Sequence, residues 1–342
     1  MVTKNFFELL CPSFQIISPK GLSVIVINRG VSDILKFVAA LLVAFGHYSS
    51  HALDYTSNII LRLLTMTGGY TGVAIFFFLS GYGLMMSERN RHLGFVAFCR
   101  RRLSKVYVPV VIVSAVWAIV IWPDGEGLSH IPSYLYTTFI GFADGILWYV
   151  RVIAVMYLLF YGYTLLRNCE KWRMPALIIG TTFAYTFVYY RHASYCAISV
   201  PLFTLGIVLA EFNDLCAKVF RCWAWLLLWL VAITLVMLIL YCLYGNLYAH
   251  SLLNYYVVTA IVTLCAFVSI NVTPPAWLGG MSYDIYLTHY KVMKFLMPVY
   301  GYIPLHHFVV GAVIAATASY ALRGVVVQTI CKFRTIIIDI FF

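Results

Sequence analysis

One apolar segment, KFVAALLVAFGHYSSH at residues 36–51, begins with a lysine and carries two histidines towards its other end. On an α-helix at about 100° per residue, the step from Lys36 to His47 turns about 1100°, which brings both side chains onto one face. Asp33 and His51 lie close to the same stripe. Because a neutral imidazole can accept and return a proton, the stripe favours a functional role for His47 over a hydrogen bond to a neighbouring helix.

Membrane helices are the elements that must position this stripe. Of the 342 residues, 63% are hydrophobic and only 10% are charged, and the mean hydropathy is +0.91, which excludes an ordinary soluble domain. A charged side chain inside a bilayer costs at least ~2.5–3.5 kcal/mol on insertion scales, so the stripe is expected to face the bundle interior or a water-filled cavity. For Asp33 and Lys36, an ion pair that merely begins the helix is an equally good explanation.

The apolar runs predict an all-α fold, a polytopic transmembrane helix bundle of about ten spans. We expect the spans at residues 33–53, 69–87, 103–122, 146–166, 175–190, 196–211, 222–244, 252–270, 280–297 and 306–330. Residues 1–28 predict an interfacial or irregular lead-in rather than a signal peptide, because their apolar patches are short and interrupted by proline and glycine. Residues 29–334 then form one membrane domain, and residues 335–342 form a short tail.

Lysine and arginine are concentrated in alternate gaps between the expected spans. By the positive-inside rule, this distribution predicts that both termini are cytoplasmic. The net charge of +11 belongs to short clusters between apolar runs rather than to a separate basic domain, so no nucleic-acid partner is expected. The nine cysteines show no paired spacing, which argues against a disulfide framework and a metal site.

Five short motifs occur in order along the chain. The first places Asp33, Leu35 and Lys36 ahead of Gly46 and His47 on one apolar helix. The other four are GVAIFFFLSGY at 72–82, RLSKVYVP at 102–109, LWYV at 147–150 and LGGMSYDIYLTH at 278–289. Together the five resemble the motifs of the acyltransferase-three family of membrane acyltransferases. Each is weak alone, whereas five in the family's order, over about two thirds of the chain, form a specific signal.

The resemblance implies transfer of an acyl group, most often acetyl, from cytoplasmic acetyl-CoA or another acyl-CoA to a hydroxyl of a cell-surface or lipid-linked glycan. It implies an integral protein of the bacterial inner membrane, whose partners are the acyl donor, the glycan and the lipid bilayer, and whose chemistry requires no metal. The residues expected to carry this function are His47 and Asp33 for catalysis, Lys36, Arg102 and Lys105 for the donor, and Trp148, Arg151, Ser282 and His289 for the substrate.

The spacing of the first helix is compatible with this chemistry. From Lys36 to His47 the helix rises ~16 Å, a distance that a pantetheine arm could follow while its phosphates stay among basic residues. Lys36 and Lys105 stand where the family commonly has arginine, and lysine binds phosphate as a point charge rather than as a planar fork. Acyl transfer through a covalent acyl-histidine, instead of general-base catalysis, is left open.

Several of these residues have a second interpretation. Arg100 and Arg101 are better explained by topology than by donor binding. His289 shares a helical face with Ser282, and it either lines the same cavity as His47 or lies at the outer interface. Ser80 and Gly81 are expected to be a close-packing site rather than a nucleophile.

The arginine next to the LWYV motif also needs an explanation. Arg151 lies inside an expected span and therefore needs a partner, for which Asp144 is one candidate.

A secondary transporter or flippase for a lipid-linked sugar or small anion is the competing function, because buried charges in a helix bundle also mark transport pathways. Against it, no repeat relates the two halves of the chain, and the polar residues concentrate in the first three expected spans. The sequence leaves the oligomeric state open, with a homo-oligomer as one option.

Overall fold

The computed structural model describes residues 27–49, 51, 58–121, 129, 131–133, 136, 147–191, 194–216, 228, 230–236, 247–268, 273–300 and 302–341. Within these ranges the regular structure is helical and no strand occurs, so the all-α class is confirmed there. The expected lead-in and the expected span at 222–244 lie mostly outside the described residues.

The principal helices are numbered α1 to α11 in chain order. They are α1 Arg29–Ser49, α2 Ile59–Leu63, α3 Gly69–Asn90, α4 Phe95–Ile121, α5 Trp148–Leu165, α6 Glu170–Arg191, α7 Ser194–Ala197, α8 Val200–Glu211, α9 Leu247–Val268, α10 Ala276–Tyr300 and α11 Leu305–Phe341. A π-helical turn, Leu64–Gly68, joins α2 to α3.

Helix α1 begins one turn earlier than the apolar run alone predicts. Asn28 precedes the helix, and its side-chain oxygen accepts a hydrogen bond from the backbone N–H of Val31 at 2.9 Å. This contact satisfies one of the donors that a helix start leaves unpaired. Asp33 therefore lies in the second turn of α1, inside the helix rather than ahead of it.

Five described helices are long and apolar enough to cross a membrane, and these segments are Arg29–Ser49, Gly69–Arg89, Phe95–Val120, Trp148–Asn168 and Leu305–Thr329. Four more expected spans coincide with described helices, namely α6, α7 together with α8, α9, and α10. These helices are not among the five. Integral membrane character thus agrees with the fold, whereas the number of ten spans and the orientation of the termini stay predictions.

Helix α3 lies at the centre of the bundle. In its most apolar stretch 72% of the residues are buried, compared with 11% in α11. Glycines allow its close approach to the neighbouring backbones. A Cβ on Gly72 would lie 2.4 Å from the carbonyl oxygen of Ala39 in α1, and a Cβ on Gly81 would lie 2.0 Å from the carbonyl oxygen of Phe203 in α8. Gly81 is thus a close-packing site, as the sequence predicts.

Candidate active site

Helices α1 and α10 lie side by side and run in the same direction, which places their polar residues at matching levels. At one end, a Cβ on Gly279 would lie 2.5 Å from the Asp33 carboxyl, so this carboxyl packs directly on the glycine backbone. Further along, the imidazole of His47 stacks on that of His289, with centroids 5.3 Å apart and planes inclined by 26°. We call these two levels the Asp33 end and the His47 end.

The histidine pair faces the interior of the bundle. His289 has no exposed surface, and its Nδ1 lies 3.1 Å from the backbone oxygen of Ile285. Because a carbonyl oxygen only accepts, Nδ1 carries the hydrogen and Nε2 of a neutral His289 is an acceptor. The ring of Tyr290 meets that of His47 edge-on at 5.7 Å. Of the two interpretations of His289, the structure therefore favours a wall shared with His47.

A cluster of cations lies at the Asp33 end. The Lys105 ammonium of α4 is repelled by Arg101 and Arg102 of its own helix and by Arg29 and Lys36 of α1. These two helices are far apart in the sequence, so their positive charges meet only through the fold. We call these five side chains the basic entrance. Such a concentration of positive charge favours phosphate groups.

Polar side chains lead inward from the basic entrance. Arg102, which is partly buried, interacts electrostatically with Tyr157 and Glu88. The Ser80 hydroxyl shares hydrogen bonds with the hydroxyls of Tyr157 and Tyr149. Ser80 thus joins two tyrosines of α5, a structural role that agrees with its expected place in a packing site.

The same path continues through aromatic rings to the histidine pair. The ring centroids of Tyr149 and Tyr286 are 5.4 Å apart, and those of Tyr286 and His289 are 6.1 Å apart. Tyr283 stacks on Tyr286 at 6.2 Å, and its hydroxyl donates to the backbone oxygen of Val106 at 3.0 Å. Hydrogen bonds and ring contacts therefore run from Tyr157 to His47, and the charge of Arg102 acts on Tyr157 at the entrance end of this series.

The two residues predicted to be catalytic lie at opposite ends of this path. Fourteen residues along the continuous helix α1 correspond to a rise of about 21 Å between Asp33 and His47. Asp33 pairs with Lys36 at 3.3 Å and with the exposed Arg29 at 4.0 Å. Asp33 therefore belongs to the surroundings of the basic entrance, and direct contact between its carboxyl and the His47 ring is excluded.

The residues predicted to bind substrate contact different neighbours. Trp148 is half-buried, and its ring lies 6.2 Å from that of Phe77. Arg151 is also half-buried and interacts electrostatically with Tyr107, while its expected partner Asp144 lies outside the described residues.

Ser282 lies closer to the Asp33 end than the histidine pair does. Its hydroxyl donates to the backbone oxygen of Gly279 at 2.7 Å, and seven residues of α10 place Ser282 about 10 Å along the helix from His289.

One buried ion pair was missed from the sequence. The Asp284 carboxylate of α10 is fully buried and lies 2.8 Å from the Arg323 guanidinium of α11. The available signal was a single acidic residue, Asp284, in the expected span 280–297 and a single charged residue, Arg323, in the expected span 306–330, since such charges have to be paired within a membrane. The tyrosines that line the path were also missed, because in an apolar sequence they are indistinguishable from interfacial tyrosines.

The described residues contain no group of three or more His, Cys, Asp or Glu side chains that could hold a metal ion.

In comparisons with known proteins, the family model of the acyltransferase domain of type three (Acyl_transf_3) matches residues 31–324. No curated protein and no solved structure matches the chain. The matched range extends from α1 to α11 and contains all five motifs, the basic entrance except Arg29, and the histidine pair. The chain therefore belongs to the acyltransferase-three family of membrane acyltransferases.

Proposed function

We propose that the protein is an integral membrane O-acetyltransferase of the bacterial inner membrane. It transfers an acetyl group from cytoplasmic acetyl-CoA to a hydroxyl of a cell-surface or lipid-linked glycan, which modifies a polysaccharide such as an exopolysaccharide. The observation that carries this proposal is the series of side chains that runs from the basic entrance to the half-buried His47 and the fully buried His289.

The basic entrance supports the binding of coenzyme A. The donor carries phosphates at one end and a thioester at the other, so it requires cations separated from the reacting atom by the length of an extended arm. Lys36, Arg102 and Lys105 supply the cations, and about 16 Å of helix separates Lys36 from His47. The positive-inside rule assigns this end to the cytoplasm, where acyl-CoA is available.

His47 is the proposed general base. Its imidazole takes the proton of the acceptor hydroxyl while the hydroxyl oxygen attacks the thioester carbonyl carbon. The tetrahedral intermediate then collapses with cleavage of the C–S bond, and the imidazolium returns its proton to the leaving thiolate. The products are an acetyl ester and free coenzyme A, and the enzyme regains its neutral histidine. Such a base contributes typically ~10²–10⁴ to the rate.

His289 is the proposed contact for the acceptor at the same level. Its Nδ1–H is engaged by Ile285, so a neutral Nε2 is suited to accept a hydrogen bond from a hydroxyl. Trp148 and Arg151 lie at the end of α5 from which the aromatic path begins, and we assign them to the acceptor side. An aromatic face and a guanidinium suit a sugar ring and an anionic substituent, respectively.

Purified protein in proteoliposomes tests the proposal directly. The preparation receives acetyl-CoA labelled in the acetyl group together with a lipid-linked glycan extract, and both free thiol and labelled ester are measured. Transfer predicts that thiol and ester appear in equal amounts and that both are lost in His47→Ala. A transporter or flippase predicts movement of the sugar across the bilayer without thioester cleavage, and that result would exclude the enzyme.

A further inference from the structure

The most completely buried charge among the described residues outside the histidine site is the carboxylate of Asp284. It has no exposed surface, pairs with the Arg323 guanidinium at 2.8 Å, and accepts a hydrogen bond from the Ser319 hydroxyl at 2.6 Å. Both partners come from α11, so the carboxylate joins α10 to α11. A buried carboxylate with a cation and a hydroxyl donor is compensated, and loss of the cation leaves an unpaired buried charge.

Arg323 also holds the start of α10, and we call residues 276–280 the first turn of this helix. Its Nη2 also donates a hydrogen bond to the backbone oxygen of Gly280 at 3.2 Å, and its guanidinium lies 5.1 Å from the centre of the Tyr320 ring. The fit is tight, because a Cβ on Gly280 would lie 2.7 Å from the Tyr320 ring. Arg323 therefore contacts α10 at two places, the Asp284 side chain and the backbone oxygen of Gly280 one turn earlier.

The residue before Gly280 contacts the basic entrance. Gly279 packs against the Asp33 carboxyl, whose Oδ1 lies 3.3 Å from the Lys36 ammonium. Two consecutive residues of this turn therefore contact Arg323 of α11 and the pair of Asp33 and Lys36 of α1, respectively. A shift of this turn away from α11 would press on the Asp33 carboxyl or release it.

We propose that Asp284 and Arg323 are positioning residues for acyl transfer, which fix the first turn of α10 against Asp33 and thereby set the geometry of the donor site. The proposal rests on the acetyltransferase function proposed above. The placement of α10 also sets the position of the histidine pair, because α10 is one continuous helix and carries His289 about 15 Å beyond Gly279. Neither residue touches the reacting atoms, so both act through the placement of α10.

A purely structural role is the competing explanation, since any buried ion pair affects folding when one partner is removed. A second ion pair provides the matched control. Arg173 of α6 lies 2.8 Å from Glu211 of α8, with both side chains largely buried, and packs over the Tyr163 ring. This pair joins helices other than α1 and α10. Arg173→Ala removes an equivalent guanidinium without touching the first turn of α10.

Cross-linking of α1 to α10 measures the positioning without relying on activity. The rings of Phe37 and Trp277 lie 6.4 Å apart, so a Phe37→Cys and Trp277→Cys double variant places one thiol on each helix beside the Gly279 contact. The rate of linkage by a short bifunctional maleimide is measured in membranes on the full chain. Each single-cysteine variant corrects for the native cysteines.

In this background, Arg323→Ala and Asp284→Asn are expected to lower the linkage rate severalfold. Arg323→Lys should recover part of it, because the ammonium keeps the charge opposite Asp284 but loses the guanidinium contact to Gly280. Arg173→Ala should link at the original rate. Asp284→Asn retains the side-chain shape, so it supplies the test if Arg323→Ala gives too little folded protein. If folded Arg323→Ala or Asp284→Asn links as fast as the double-cysteine protein without the further substitution, the proposal is overturned.

Kinetics on the same variants without the added cysteines complete the test. Per folded molecule, Arg323→Ala is expected to lower kcat/KM for acetyl-CoA up to about 10²-fold, with KM rising, since a misplacement of about 1 Å is enough for such a loss. Arg173→Ala should change the folded yield but neither constant. Unchanged kcat/KM in Arg323→Ala would overturn the positioning role. If the native protein transfers no acetyl group while the linkage rates behave as expected, the proposed function fails and the coupling of the ion pair to α10 stands.

Discussion

The imidazoles of His47 and His289 stack face to face across the contact between α1 and α10, with centroids 5.3 Å apart. Each histidine is carried by a helix whose other end contributes to the Asp33 end of the bundle, where Asp33 meets Gly279. The same pair of helices therefore holds the proposed base at one level and part of the donor site at the other. Substitutions at either level can be compared with matched residues elsewhere in the chain.

His47→Ala is expected to abolish acetyl transfer, with a loss of at least about 10²–10⁴ in kcat, because it removes the imidazole that takes the hydroxyl proton in the proposed mechanism. The measurement is release of free thiol from acetyl-CoA by purified protein, normalised to folded monomer. The control is His306→Ala, which changes an exposed histidine at the start of α11 and should retain the original rate. Turnover retained by His47→Ala would exclude His47 as the base.

Arg102→Ala is expected to raise KM for acetyl-CoA about tenfold with a smaller effect on kcat, since it removes a cation that binds the donor in ground and transition states alike. Initial rates over a range of acetyl-CoA concentrations give both constants. Arg100→Ala, an exposed arginine two residues earlier in α4, should leave KM within about twofold because exposed charges contribute little. An equal KM change in both variants would mean that the arginine run acts through topology or net charge.

Gly279→Ala tests the contact between α10 and Asp33. The added methyl would lie 2.5 Å from the carboxyl, so Asp33 or α10 has to move, at a cost of about 1–3 kcal/mol typical of overpacking. We expect a lower thermal midpoint in detergent and a raised KM for acetyl-CoA. Gly162→Ala in α5 is the control, because nothing lies within 4 Å of its new Cβ. A wild-type midpoint and KM for Gly279→Ala would show that this contact can open freely.

Gly81→Ala is expected to destabilise the bundle by about 1–3 kcal/mol or more, since its Cβ would lie 2.0 Å from the backbone oxygen of Phe203 and no side-chain rotation relieves a clash with backbone. Gly83→Ala provides a control on the same helix, because its Cβ meets nothing within 4 Å. Thermal unfolding of both variants in one detergent gives the comparison. Equal midpoints would mean that α3 and α8 do not pack at this glycine.

The helical class and the positions of most helices could be predicted from the sequence. Long apolar runs indicate helices because the bilayer requires every backbone polar group to be satisfied within the segment. The boundaries were less accurate, since Asn28 caps α1 one turn ahead of the expected start and α10 runs from Ala276 to Tyr300 rather than over 280–297. Caps and interhelical contacts determine where such helices begin and end, and the apolar periodicity carries no information about these contacts.

Part of the site was also foreseeable. The spacing of Lys36 and His47 defines one face of a helix, and the cost of burying polar groups indicates that this face is internal. The catalytic assignment of Asp33 stays a prediction, but it cannot involve direct contact with His47, because a shared helical face does not bring together residues separated by about 21 Å. The spacing of two residues on one helix gives both the angle between their side chains and their separation along the axis. Both quantities are needed to decide whether the two side chains can meet.

The sequence by itself determined that the chain is a helical membrane protein, which family it resembles, and that His47 faces inward, because hydropathy, motif order and helical periodicity are local properties. Only the tertiary structure decided that His289 stacks on His47, that cations of α1 and α4 converge, and that Asp284 pairs with Arg323. These are contacts between helices distant in sequence, and they depend on which helix faces which. In a bundle of apolar helices, that choice is made by glycine contacts and buried polar pairs, which a linear pattern does not reveal.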